Sequence, residues 1–178
     1  LTRKTEDIDF NFGDFAQKIN SDLIGKLINI ASRCASFINK KFANKLSETP
    51  LNPELIQEFI KKGDEIADFY ENRDYNPAMK SIMELADQAN QMIDAQKPWL
   101  LIKNPDSIQQ AHDVCSLGLN LFRILMIYLK PVLPITAEKV EHFLNIPAMT
   151  WDQRQEILFD HTINTFTPLL QRIPEETI

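Results

Sequence analysis

The chain has 178 residues, a formal net charge of −6 and a pI near 5.1. Hydrophobic residues make up 44% and charged residues 25%, enough apolar material for a buried core and too much for a disordered chain. Only 4 Gly are present, which argues against turn-rich sandwiches and barrels and against a Gly-rich phosphate loop. The acidic balance disfavours non-specific binding to nucleic acid or to an anionic membrane, both of which need a positive field.

The first residues, Leu1-Thr2-Arg3-Lys4-Thr5-Glu6-Asp7, are polar and charged, with no apolar stretch of signal-peptide type. Leu1 stands where an initiator Met would, so the chain reads as part of a longer one. A short helix is predicted from Gly13 to Ile19, followed by a long one from about Asp22 to Lys45. Ser47–Asn52 is a connector. Asn52-Pro53, Asn76-Pro77 and Asn104-Pro105 each precede a run with helical periodicity. Asn is a favoured N-cap because its side-chain oxygen accepts from an orphan backbone N–H, and Pro suits the first helical position because its missing N–H has no partner there. These pairs predict helices from Pro53 to Asn72, from Pro77 to Lys97 and from Pro105 to just before Pro131. Pro98 takes the chain out of helix, since it has no N–H to donate. Pro134 opens a shorter helix to Leu144, and beyond Pro147 a helical turn or two around Trp151–Phe159 leads into a loosely packed tail. No segment alternates at period two, so the class is all-α, a helix bundle. Val114–Leu129 is apolar almost all round but short of a membrane span and interrupted by Arg123; it is read as the central helix.

Chemistry that would mark an enzyme is missing from the pattern. His112, His142 and His161 are isolated, Cys34 and Cys115 read as reduced core thiols, and no Cys/His cluster has metal-ligand spacing. No nucleophile motif or distinguishable carboxylate pair stands out. Binding is better represented. Leu23–Ser47 contains no Asp or Glu but holds Lys26, Arg33, Lys40, Lys41 and Lys45. At 100° per residue, Leu27, Ile28, Ala31, Cys34, Ala35, Ile38 and Phe42 form the buried side, while Lys26, Asn29, Arg33 and Lys40 group opposite. Asn29 and Arg33, four apart, offer an amide and a planar fork that match base edges or a phosphate. Trp99, presented by Pro98, suits the stacking of an unpaired base, or equally a lid over the bundle end. Trp151 is assigned to packing.

Several stretches carry a family resemblance. Asn29-Ile30-Ala31-Ser32-Arg33 and Phe37-Ile38-Asn39-Lys40-Lys41-Phe42 resemble the first long helix of the anticodon-binding domain of methionyl-tRNA synthetases. Ala86-Asp87-Gln88-Ala89-Asn90 with Gln96-Lys97-Pro98-Trp99 is similar to the family's stretch ending in Pro-Trp. Leu119-Asn120-Leu121-Phe122-Arg123 and Tyr128-Leu129-Lys130-Pro131-Val132-Leu133-Pro134 resemble the central helix and exit of class I synthetase anticodon domains. The likeness runs from about residue 5 to 160. It implies residues 1–12 as the end of a connector from a catalytic domain, 13–160 as the α-helical anticodon-binding domain and 161–178 as a tail. It implies recognition of the CAU anticodon of initiator and elongator methionine tRNAs, with Trp99 stacking on an unpaired base and Asn29 and Arg33 contacting base edges and backbone. Pro98 would shape the loop, Asp94 would help reject wrong anticodons, and Lys26 and Lys40 would complete the RNA-binding face. Gly25 and Cys34 depart from the family, which commonly has Asn at both positions. The ATP-binding signatures and the Cys-rich zinc insertion of the class are not in this sequence. ATP, Mg²⁺ and often Zn²⁺ would therefore serve the full cytoplasmic ligase, whose catalytic domain is one partner and tRNA the other, with no membrane and no DNA. Two alternatives are a helical protein-interaction module, docking an acidic partner on the Asp22–Lys45 helix, and the same domain of the cysteine, leucine or valine enzyme.

Overall fold

The computed structural model describes residues 19–49 and 51–167. A π-helical turn at Ile19–Ile24 runs into α1 (Gly25–Lys41), followed by α2 (Pro53–Glu71), α3 (Tyr75–Gln96), the one-turn α4 (Pro98–Leu101), α5 (Ile108–Leu129), α6 (Pro134–Leu144) and a 3₁₀ turn at Trp151–Gln155. Among the described residues there is no strand; Lys45 and Thr162 form an isolated antiparallel bridge. The class is all-α. The helix predicted over Gly13–Ile19 and the connector at residues 1–12 lie outside the described residues, apart from Ile19.

α5 organises the rest, because every residue from Asp113 to Leu129 is buried and α1, α2, α3, α4 and α6 all pack against it. Its length and mean hydropathy would allow it to cross a membrane, yet 94% of that apolar window is covered by the other helices, as befits the axis of a bundle. Leu27, Ile30, Ala31, Cys34, Ala35 and Ile38 make the buried stripe of α1; Ile28 and Phe42 are half-buried at its margins. Where α1 crosses α5, a Cβ at Gly118 would overlap Cys34 Sγ, so a glycine there is what permits the close approach. Cys34 and Cys115, distant in sequence, meet at this crossing as free thiols. Their mutual hydrogen bond and their burial push the Cys34 thiol well above its ordinary range.

The element ends depart from the sequence expectation in four places. α1 stops at Lys41, not Lys45, because Ala43 and Asn44 take positive φ of 51° and 63° and turn the chain toward the connector. α3 begins at Tyr75 with Asp74 at the cap position, which leaves Asn76 and Pro77 inside the first turn, where Pro needs no N–H partner. α5 begins at Ile108: Asn104 does accept from Asp106 N at 3.0 Å, but this closes a turn ahead of the helix and not its first turn. Pro98 ends α3 as expected, yet it also opens a new turn of helix at once. Asn52 caps as predicted, accepting from Leu55 N at 3.1 Å.

Residues 156–167 lie outside any helix and carry no apolar period, yet hydrogen bonds to the body hold them. Asn120 is fully buried and bonds both the N–H (2.8 Å) and the C=O (3.2 Å) of Leu158. Arg123 donates to the carbonyls of Glu156 (2.8 Å) and Gln153 (2.7 Å). Asn39 accepts from Phe166 N at 2.9 Å, and His161 bonds Leu144 O at 2.6 Å. In the expected tail, Ile163 is buried at 2% exposure and Phe166 half-buried, while Thr162, Asn164, Thr165 and Thr167 are exposed. Trp151 packs, as expected, with Tyr70 and Tyr128 at centroid distances of 6.1 and 5.1 Å.

Candidate nucleic-acid interface

The polar side of α1 borders α3, with Lys26 and Arg33 half-buried and Asn29 and Lys40 exposed. Between them is an open cleft of about 360 Å³ lined by Lys26, Asn29, Arg33, Asp87, Asn90 and Asp94. The three α1 residues recur at i, i+3 and i+7, as do the three from α3, so each set occupies one helix face. Lys26 Nζ pairs with Asp87 Oδ1 at 2.7 Å, and Arg33 Nη1 with Asp94 Oδ1 at 2.6 Å. Arg33 Nη2 donates to Asn90 Oδ1 at 2.8 Å and its Nε to the carbonyl of Asn29 at 3.2 Å. Asn90 Nδ2 in turn donates to the carbonyls of Lys26 and Ala86, each at 3.2 Å. With Asp87 46% and Asp94 61% exposed, such pairs stabilise the fold by at most about 1 kcal/mol each; their larger effect is to set orientation.

Trp99 reaches the same place from the end of α3. Lys97 adopts a left-handed conformation (φ 49°, ψ 60°), Pro98 is buried at the first position of α4, and Trp99 follows half-buried against the core. The Arg33 guanidinium carbon is 5.9 Å from the Trp99 ring centroid, within the range of a cation–π contact. Lys26, Asn29, Arg33 and Asp94 thus line the cleft, and Trp99, following the buried Pro98, meets it at Arg33. Asn29 is exposed, and its side-chain amide has no partner among the described residues. Lys40 is exposed and stands outside the cleft lining, seven residues and about 10 Å of helix beyond Arg33. Two cations of this side of α1, Lys26 and Arg33, already hold carboxylates of α3.

Asp87 and Asn90 stand in the stretch that carries the resemblance, but nothing in the sequence assigns them to the site. Their spacing with Asp94 puts all three on one face of α3, which is the signal a helical projection offers; that this face meets Lys26 and Arg33 follows from the register of two helices and from no local pattern. Chemically, the cleft presents a planar cation, amides and carboxylates, with the Trp99 ring against its guanidinium, a set that can grip a flat polar ligand. Among the described residues no three His, Cys, Asp or Glu side chains gather to hold a metal.

Residues 44–167, more than half of the chain, match the family described as the anticodon binding domain of methionyl tRNA ligase. The chain belongs to that family. Asp87, Asn90, Asp94, Pro98 and Trp99 fall inside the matched range, and the α1 side of the cleft precedes it. The anticodon-binding domain is 54% identical over all 178 residues to a methionine–tRNA ligase of Vesicomyosocius okutanii subsp. Calyptogena okutanii, and 48% identical to one of a Psychrobacter species. It spans 33% and 26% of the lengths of these two relatives. Two solved structures of Mycobacterium tuberculosis methionyl-tRNA synthetase share the fold. The apo form has a TM-score of 0.74 at 19% identity, covering 89% of this chain and 34% of that one. The form bound by methionyl-adenylate has 0.71 at 20%, covering 86% and 32%.

Proposed function

We propose that this domain reads the CAU anticodon of initiator and elongator methionine tRNAs for a cytoplasmic methionine–tRNA ligase. The catalytic part, outside this chain, would join methionine to tRNA with ATP, Mg²⁺ and often Zn²⁺. The observation that carries the reading is the convergence of Trp99 on Arg33 at 5.9 Å, beside the exposed amide of Asn29. Single-stranded loops are recognised by splaying bases onto aromatic rings and Arg planes and by hydrogen-bonding their edges, so the site needs those three groups together and no basic protein. In this reading Trp99 and the Arg33 plane supply stacking surfaces, and Asn29 with the free Arg33 N–H groups reads base edges. Pro98 fixes the turn, Lys26 lines the rim, and Asp94 and Asp87 disfavour ligands that would bring a further acceptor. An acidic protein partner on α1 is less well served, because Lys26 and Arg33 are already ion-paired within the domain.

Titration with a methionine anticodon stem-loop, repeated with each anticodon base changed singly, tests the proposal. A base whose edge is read should cost about tenfold or more in affinity when replaced, because buried polar groups lose their partners. Equal affinity for every loop would refute it.

A further inference from the structure

Arg33 can serve a bound ligand only if its guanidinium is held in one plane. Asp94, which takes one Nη, is 61% exposed, so a second anchor is needed to define that plane. Asn90 is half-buried, and its own amide has no alternative orientation. Nδ2 faces two carbonyls, Lys26 O on α1 and Ala86 O on α3, both of which can only accept; Oδ1 must therefore face the Arg33 donor. One side chain ties the backbone of α1 to the guanidinium that α1 carries. Being neutral, it accepts the Nη2 hydrogen bond without adding a second negative charge beside Asp94. With Asn29 O, Asn90 and Asp94 occupied, three of the five N–H groups of Arg33 are committed and one on each Nη stays available.

We propose that Asn90 is a positioning residue: it sets the plane in which Arg33 meets Trp99 and a bound RNA loop, while leaving Arg33 its charge and two donors. The functional half of this statement rests on the anticodon reading of the cleft; the structural half does not. The Arg33 Nε–H resonance of the RNA-free 178-residue chain tests the latter. It should show hindered guanidinium rotation in the wild type and fast averaging in Asn90→Ala, with unchanged far-ultraviolet circular dichroism. Stem-loop titration then tests the former. Asn90→Ala should bind about tenfold more weakly than wild type, and Asn90→Ala should cause no further loss in an Arg33→Ala background. Asn90→Asp keeps the acceptor but turns an oxygen to the Lys26 and Ala86 carbonyls, and should weaken binding as well. Should Asn90→Ala fail to fold, Asn90→Ser carries the same comparison. An Arg33 resonance indifferent to Asn90, or equal losses with and without Arg33, would overturn the proposal. Arg33→Ala binding as well as wild type would instead remove the anticodon reading, and the resonance would still decide what Asn90 does to Arg33.

Discussion

Gly118→Ala should destabilise the domain by about 1–2 kcal/mol, and the reason is a single sulfur atom. The added methyl would overlap Cys34 Sγ and approach Ile93 Cδ1 to 3.4 Å, whereas Cys34 Cβ, at 3.6 Å, is at ordinary contact distance. Both neighbouring residues, Cys34 and Ile93, are fully buried, and Cys34 is on α1, one residue after Arg33. Overpacking of this kind costs about 1–3 kcal/mol, while replacing a mid-helix Gly with Ala returns up to about 1 kcal/mol of helix propensity. Because sulfur alone causes the overlap, Cys34→Ala should rescue: the two methyl groups fill the space that thiol and hydrogen filled before. Urea unfolding of the single and double variants, followed by circular dichroism, makes the comparison. A neutral or stabilising Gly118→Ala, or a double variant no more stable than the sum of its parts, would refute the account of how α1 lies on α5.

Asn120→Ala should cost about 1–3 kcal/mol, since it removes the partner of both backbone groups of the half-buried Leu158. Amide exchange at Leu158 should quicken well before exchange in α5, and unchanged protection there would contradict the assignment. Alkaline pH should weaken the fold. Burial raises the Tyr70 and Tyr128 hydroxyls above their ordinary value of 10.0, and the Cys115 hydrogen bond with burial raises Cys34 above 9.0. These groups stay protonated in the folded chain while the unfolded chain ionises. Stability is therefore full below about pH 9 and falls as pH rises through 9 and 10, by up to about 1.4 kcal/mol per unit for each group. Denaturant midpoints that stay level from pH 8 to 11 would exclude this.

Local rules were sufficient where one helix decides its own fate. The apolar stripe of α1, the Asn52 cap and Pro53 start of α2, and the Pro134–Leu144 span of α6 are all legible in the sequence. They fail where a neighbour decides. Asn76-Pro77 and Asn104-Pro105 look alike in sequence, but one lies within the first turn of α3 and the other in the turn before α5, because packing sets where those helices begin. The irregular segment after Gln155 has no period to read; its shape is held by Asn120 and Arg123 in the middle of α5 and by Asn39 in the last turn of α1. In the cleft, Trp99, Asn29 and Arg33 were visible as chemistry, but their meeting was not. Nor was the neutralisation of Lys26 and Arg33, which depends on the rotation of α3 about its own axis.

That rotation brings a ring and a fork to the same mouth, and the affinity of Trp99→Ala for the CAU stem-loop measures whether RNA uses them. Loss of a stacking partner costs about 1–3 kcal/mol per base, so binding should weaken by about 5- to 150-fold with the helical content unchanged. Wild-type affinity in a folded Trp99→Ala domain would contradict the account.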